Sequence, residues 1–169
     1  MAIAETQIDL DAAIRSGDVE RIADALDVIG RGAVSSHGIG RITELARKAR
    51  SPVVRNAAAI ALTDLKADGA DALLIELIKR RETRGANGTL LYALREMNAY
   101  VPLPVLVDLV SEDRTYEALE GALDLIANNA ARYTREEKAE AVARLQPLAT
   151  ATGAHIAHSA KLAIKYLTR

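Results

Sequence analysis

One five-position pattern of small and apolar residues comes round four times in this chain, and a chain that repeats itself at such an interval has few ways to fold. Ala57-Ala58-Ala61-Leu62-Leu65 is followed by Thr89-Leu90-Ala93-Leu94-Met97, then by Ala118-Leu119-Ala122-Leu123-Ile126 and by Ser159-Ala160-Ala163-Ile164-Leu167. The central alanines stand 32, 29 and 41 residues apart, and the preceding segments Leu73-Leu74-Leu77-Ile78 and Val105-Leu106-Leu109-Val110 keep step at 32. Apolar residues three and four apart mark helices. A period of this size is that of a two-helix unit, which cannot bury its apolar stripe alone and must stack on its neighbours around one shared core. The long last interval, with Tyr133 near its start and Pro147 inside a helical pattern, predicts an atypical final unit.

Composition supports helices and narrows the chemistry. The 169 residues include 33 Ala and 21 Leu, and the only aromatics are five Tyr. Ala and Leu are strong helix formers, while strand-favouring residues are thin. Without Cys there is no disulfide, thiolate zinc site, iron–sulfur cluster or cysteine nucleophile. Short apolar runs and an acidic Met1–Asp11 segment indicate neither a membrane span nor a secretion signal, so a cytoplasmic protein is expected. Ten helices are predicted from the breaks between periodic stretches. Asp18 is placed to cap the second, Ser51 before Pro52 to open the fourth, and Thr134 with Glu137 to form a capping box. Arg47-Lys48-Arg50 and Lys79-Arg80-Arg81 are expected in last turns, where cations meet the negative end of the macrodipole.

The stretch Ser51-Pro-Val-Val-Arg-Asn-Ala-Ala-Ala-Ile-Ala-Leu62, with Leu65 and Gly69-Ala-Asp-Ala-Leu-Leu-Ile-Glu-Leu-Ile78 after it, resembles a HEAT repeat of the short bacterial kind also found in phycobilisome-lyase-like proteins. The resemblance covers residues 39–130, with the flanks joined by extension. It implies an all-α, right-handed α-solenoid of about five stacked antiparallel helix pairs, spanning 1–169 as one domain. In that family the Arg at position 55 belongs to a polar ladder between repeats. Here the equivalent positions are Asn87, Tyr116 and Ala157, so the ladder is not maintained.

Charge is banded along the chain. Residues 1–30 carry 2 basic and 7 acidic side chains, 31–66 carry 7 and 2, 67–98 carry 5 and 5, 99–130 carry 1 and 6, and 131–169 carry 7 and 3. The bands support neighbouring repeats or print a surface for a charged partner. A nucleic-acid rod would need a continuous basic stripe with aromatic platforms, which the acidic band interrupts, so no nucleic-acid partner is expected.

Turning the apolar stripe of each even-numbered helix inward leaves an outward stripe of Asn56 and Thr63, then Gly88, Tyr92 and Arg95, then Glu117, Glu120 and Asp124, then His158, Lys161 and Lys165. The HEAT resemblance implies that these helices line the concave face where a partner docks. Tyr92 and Arg95 are residue types enriched at binding hot spots, and they border Glu117, Glu120 and Asp124. These five are the expected partner-binding residues, with Arg95 also placed to pair with acids of the next helix. The reading is a non-catalytic module that binds another protein, one with a basic surface in particular, as adaptor or scaffold or as an inhibitor such as a toxin-neutralising immunity protein. A monomer or weak homo-oligomer is expected, the acidic first repeat and basic last repeat allowing head-to-tail contact.

Other chemistry has thinner support. His155 and His158 share a helix face but lack a third metal ligand nearby in sequence, and no metal or cofactor is expected. Adjacent Ser35, Ser36 and His37 are read as caps and turn formers rather than a triad. Gly30, Gly32, Gly38 and Gly40 lack the strand and the Gly-Lys-Ser/Thr ending of a phosphate loop and are assigned to a turn before Ile39. Glu136, Glu137 and Glu140 decorate a helix start. The competing class is a HEAT-like enzyme, a chromophore lyase or DNA glycosylase, whose acids would be Glu117, Glu120 and Asp124; a glycosylase groove would want aromatic walls, and Trp and Phe are absent.

Overall fold

The computed structural model describes residues 9–32, 36–113, 115–150 and 154–169, and among them the chain is all-α, with ten α-helices and two single 3-10 turns. It divides into two compact units, Met1–Leu73 and Leu74–Arg169.

In the first unit, α1 (Leu10–Ser16), α2 (Val19–Gly30), α3 (Ser36–Lys48) and α4 (Pro52–Asp64) form two successive pairs, with α4 packed on both α2 and α3. Local chemistry sets the boundaries. Asp9 accepts from Ala12 N at 2.9 Å, and Asp18 accepts from Glu20 N and Arg21 N, each satisfying backbone donors that a first turn leaves unpaired. Gly17, at φ 69°, turns the chain sharply between the two helices. Ser51 occupies the expected position before Pro52, yet its side chain makes no capping bond. Small residues let α2 and α4 approach closely. A Cβ on Gly30 would stand 3.1 Å from the Ala61 Cα, so a hydrogen there is what admits the neighbouring backbone. Gly30 thus ends α2 as read from the sequence, but Gly38 and Gly40 lie inside α3, which starts earlier than the expected turn. Ser35 lies outside the described residues, and Ser36 and His37 fall in the first turn of α3.

The fifth helix, α5 (Ala70–Ile78), runs across the division in the chain. It ends at Ile78, so Lys79-Arg80-Arg81 follow the helix instead of filling its last turn. Thr83 replaces them as the terminator, its buried hydroxyl donating to Leu77 O and Arg80 O at 2.8 Å. The hydroxyl satisfies carbonyls that the end of a helix leaves without an intrahelical partner.

In the second unit, α6 (Gly88–Glu96), α8 (Tyr116–Asn129) and α10 (Ala154–Leu167) lie side by side in one layer, while α7 (Leu103–Glu112) and α9 (Arg135–Ala149) lie side by side in another. The repeat pattern explains the core. Ala61, Ala93, Ala122 and Ala163 are all buried, as are Ala58, Leu90, Leu119 and Ala160 one turn earlier. The next column breaks rank, because Leu62 and Leu94 are buried whereas Leu123 and Ile164 are half-exposed. The Thr134–Glu137 capping box forms at α9 with both of its bonds.

Between α8 and α9 the enlarged final interval is used as a clamp. Asn129 donates to Ala99 O at 3.2 Å, and the buried Tyr133 hydroxyl donates to Val101 O at 2.8 Å, pinning this segment to the connection before α7. Burial pushes the Tyr133 phenol well above its ordinary value of 10.0, with the neighbouring Tyr100 adding to the shift. A raised folded value means the folded state holds this proton more tightly than the unfolded one. The contribution is intact below pH 10 and is lost as pH climbs toward the folded value. Tyr133→Phe is therefore expected to cost about 1 kcal/mol at neutral pH, from the lost bond to Val101, and to flatten the alkaline fall in stability above pH 10. Denaturant titrations of both proteins from pH 8 to pH 11 check this, and an unchanged alkaline slope in the variant contradicts it.

Candidate functional site

The five residues named from the sequence lie within the second unit on two neighbouring helices, α6 and α8. Their approach depends on two glycines. A Cβ on Gly88 would lie 2.8 Å from Glu117 Cβ, and one on Gly121 would lie 2.9 Å from Leu91 Cβ. With α6 and α8 held this close, Tyr92 and Arg95 of α6 stand beside the carboxylates of α8.

Arg95 is the centre of the arrangement. Its Nη1 donates to Asp124 Oδ2 at 2.8 Å, its Nη2 lies 3.6 Å from Glu96, and its guanidinium carbon sits 5.1 Å from the centroid of the Tyr92 ring. The hydrogen bond to Asp124 is the largest of the effects that raise the Arg95 pKa, with the Asp124 and Glu96 charges adding to it. The pair is open to solvent, so its value lies in orientation more than in stability. Asp124 is thereby occupied, and the expected contact of Arg95 with acids of the next helix is present. Tyr92 remains 49% exposed with one ring face taken by Arg95.

Glu117 and Glu120 are exposed. Tyr116, at the start of α8, is 67% exposed and donates its hydroxyl to Glu120 Oε1 at 3.3 Å. The Glu120 charge pushes the Tyr116 phenol up, and Glu117 adds to it. Sequence reasoning missed Tyr116 by treating it as the counterpart of a ladder Arg. Its four-residue spacing from Glu120 was the available signal. The face therefore carries two exposed tyrosines, two carboxylates free of any ion pair among the described residues, and one fixed guanidinium–carboxylate pair.

On the next helix of the layer, α10, His155, His158, Lys161 and Lys165 are exposed. Among the described residues no group of three His, Asp or Glu side chains is placed to hold a metal ion. Glu137 is committed to the α9 capping box. No helix among the described residues is long and apolar enough to cross a membrane.

No protein-family model and no curated protein matches the chain. Solved structures do match. A designed armadillo repeat protein superposes with a TM-score of 0.54 at 20% identity, covering 94% of this chain and 80% of the other. Computationally designed armadillo repeat proteins for modular peptide recognition give 0.57 at 20% identity, over 93% and 80%. An engineered protein gives 0.59 at 20% identity, over 94% and 78%. The fold is a helical-repeat α-solenoid. It is of HEAT or armadillo type, and identity this low carries the fold alone. The stacked helix pairs expected from the roughly thirty-residue recurrence are thus present, with α6 and α8 as successive helices of one layer.

Proposed function

We propose that this solenoid is a non-catalytic binding module whose partner is an extended, cation-bearing segment of another protein, received on the face formed by α6 and α8. The observation that carries this reading is the grouping on α6 and α8 of exposed Tyr92 and Tyr116 with Glu117 and Glu120, which stand in no ion pair among the described residues. Tyrosines offer large contact area at low entropic cost, and carboxylates beside them favour lysine or arginine through charge and ring stacking. The Arg95–Asp124 pair keeps this surface ordered before a partner arrives. The likeness to armadillo designs for peptide recognition and the HEAT-like character of residues 51–78 support a binding role, as adaptor or as inhibitor.

A fluorescent peptide of alternating Lys and Arg, titrated by anisotropy at two salt concentrations, tests the proposal. Saturable binding that weakens at least about tenfold in Glu120→Arg and in Tyr92→Ala is expected, with an acidic peptide of equal length failing to bind. Binding that survives Tyr92→Ala while vanishing with salt would be diffuse attraction to the acidic band, and would overturn the assignment of this face.

A further inference from the structure

Beside the acids of α8 the surface changes sign. α8 packs on α10, the last helix of the same layer, which also packs on α7 and α9. The repeat fixes which side chains continue the face. Ala122 of α8 and Ala163 of α10 are one buried position, 41 residues apart, so Glu117 is matched by His158, Glu120 by Lys161 and Asp124 by Lys165. From Ala154 to Leu167 there is no acid. Lys161 and Lys165 are exposed and stand in no ion pair among the described residues; Asp124, the α8 counterpart of Lys165, is held by Arg95 at 2.8 Å. Lys165 lies in the last turn of α10, where the negative helix end favours a cation by itself. Lys161 lies a turn further in and gains little from that end.

These two bands bear on any chain that docks across the layer. A segment that touches both Tyr92 on α6 and Glu120 on α8 crosses those helices, and its continuation meets α10. A wholly cationic continuation would be repelled there, since like charges brought together across an interface are a penalty. Axes of packed helices lie about 8–10 Å apart. A chain in the polyproline II conformation returns a side chain to the same side at every third residue, about 9 Å further on. One step between helices therefore corresponds to three residues of such a segment.

We infer that the partner segment carries both signs, a lysine or arginine over Glu117 and Glu120 and, three residues away, an aspartate or glutamate over Lys161 and Lys165. This rests on the docking reading of α6 and α8 and adds to it the order and spacing of the partner's charges. Exposed ion pairs each contribute little, so the two lysines together are expected to give about a fivefold gain in affinity. Their larger effect is selection, because the cations of α10 reject a polybasic chain that the acids of α8 would accept.

The test titrates the full chain with three fluorescent peptides of one length, followed by anisotropy. The first carries Lys, Arg and Glu at three-residue intervals with Pro and Ala between them. In the second Gln replaces Glu, and in the third Glu is moved between the two cations. The first is expected to bind about fivefold tighter than the second, although the second has the higher positive charge, and tighter than the third. Lys161→Gln combined with Lys165→Gln is expected to erase that preference without weakening the second peptide. Glutamine is chosen so that no acid is set at the negative end of α10. A preference that persists in this double variant, or equal binding of all three peptides by the wild type, would overturn the inference and leave the α6–α8 reading standing. An all-acidic peptide that binds as tightly as the first would make α10 a separate site and overturns it too. Failure of every cation-bearing peptide to bind is the failure of the docking reading itself, and the inference falls with it.

Discussion

Gly121→Val is expected to lower the unfolding free energy by about 3 kcal/mol, read as a fall in the urea midpoint at constant slope. Propensity points the other way, since valine is a better helix former than glycine by a few tenths of a kcal/mol. The contact decides the sign. The first carbon added at Gly121 would stand 2.9 Å from Leu91 Cβ and 3.3 Å from Leu91 Cδ1, and a Cβ cannot swing aside as the end of a long side chain can. Either α6 and α8 separate, losing contacts along their length, or the backbone bends. The cause can be isolated with Leu91→Ala. Alone, that change empties a fully buried site and costs about 2–5 kcal/mol. Combined with Gly121→Val it removes the Cγ and Cδ1 contacts and leaves room for the new methyls while the Cβ contact at 2.9 Å stays, so the double variant should be more stable than the sum of the two losses by about 1 kcal/mol without full rescue. Strict additivity would mean that the Leu91 side chain beyond its Cβ takes no part in the clash. The same variant displaces Tyr92 and Arg95 relative to Glu120 and Asp124, and so should weaken the cationic peptide even where the protein stays folded.

Leu94→Ala should cost about 3 kcal/mol, and Leu123→Ala less than half of that, although both leucines occupy the same place in the repeat. Leu94 is fully buried on α6, and its removal leaves a cavity that the neighbouring Ala93, Leu90 and Leu91, themselves fully buried, are too constrained to fill. Leu123 is half-exposed on α8. Truncating it returns surface that water already reached, so the transfer loss is smaller and no cavity forms. Urea unfolding of the two variants side by side provides the measurement. Equal losses would show that repeat position, and not burial, governs the energetics.

Much of this was legible in the residues. The central alanines Ala61, Ala93, Ala122 and Ala163 are buried because close helix packing demands a small residue there, and a recurring demand leaves a recurring letter. Asp18 and the Thr134–Glu137 box were readable because a cap acts within one turn of its own position. The Lys79-Arg80-Arg81 placement failed because the helix end is decided by the Thr83 hydroxyl reaching back to Leu77 O, a bond over six residues that no charge pattern announces. Tyr92, Arg95 and Asp124 were named from their faces, and they do come together. Tyr116 was missed because exposure at the first residue of a helix depends on how the preceding loop enters it.

Periodicity, composition and capping chemistry act over a few residues or recur at a set interval, so the chain alone specified helices, their approximate ends and their stacking in pairs. Contacts across 26 to 32 residues belong to the folded molecule. Asn87 with Asp113, Arg95 with Asp124 and Tyr133 with Val101 each depend on which turn of one helix faces which turn of another. That register is settled by packing between side chains distant in sequence, and it alone decided which acids are paired and which stand in no ion pair among the described residues.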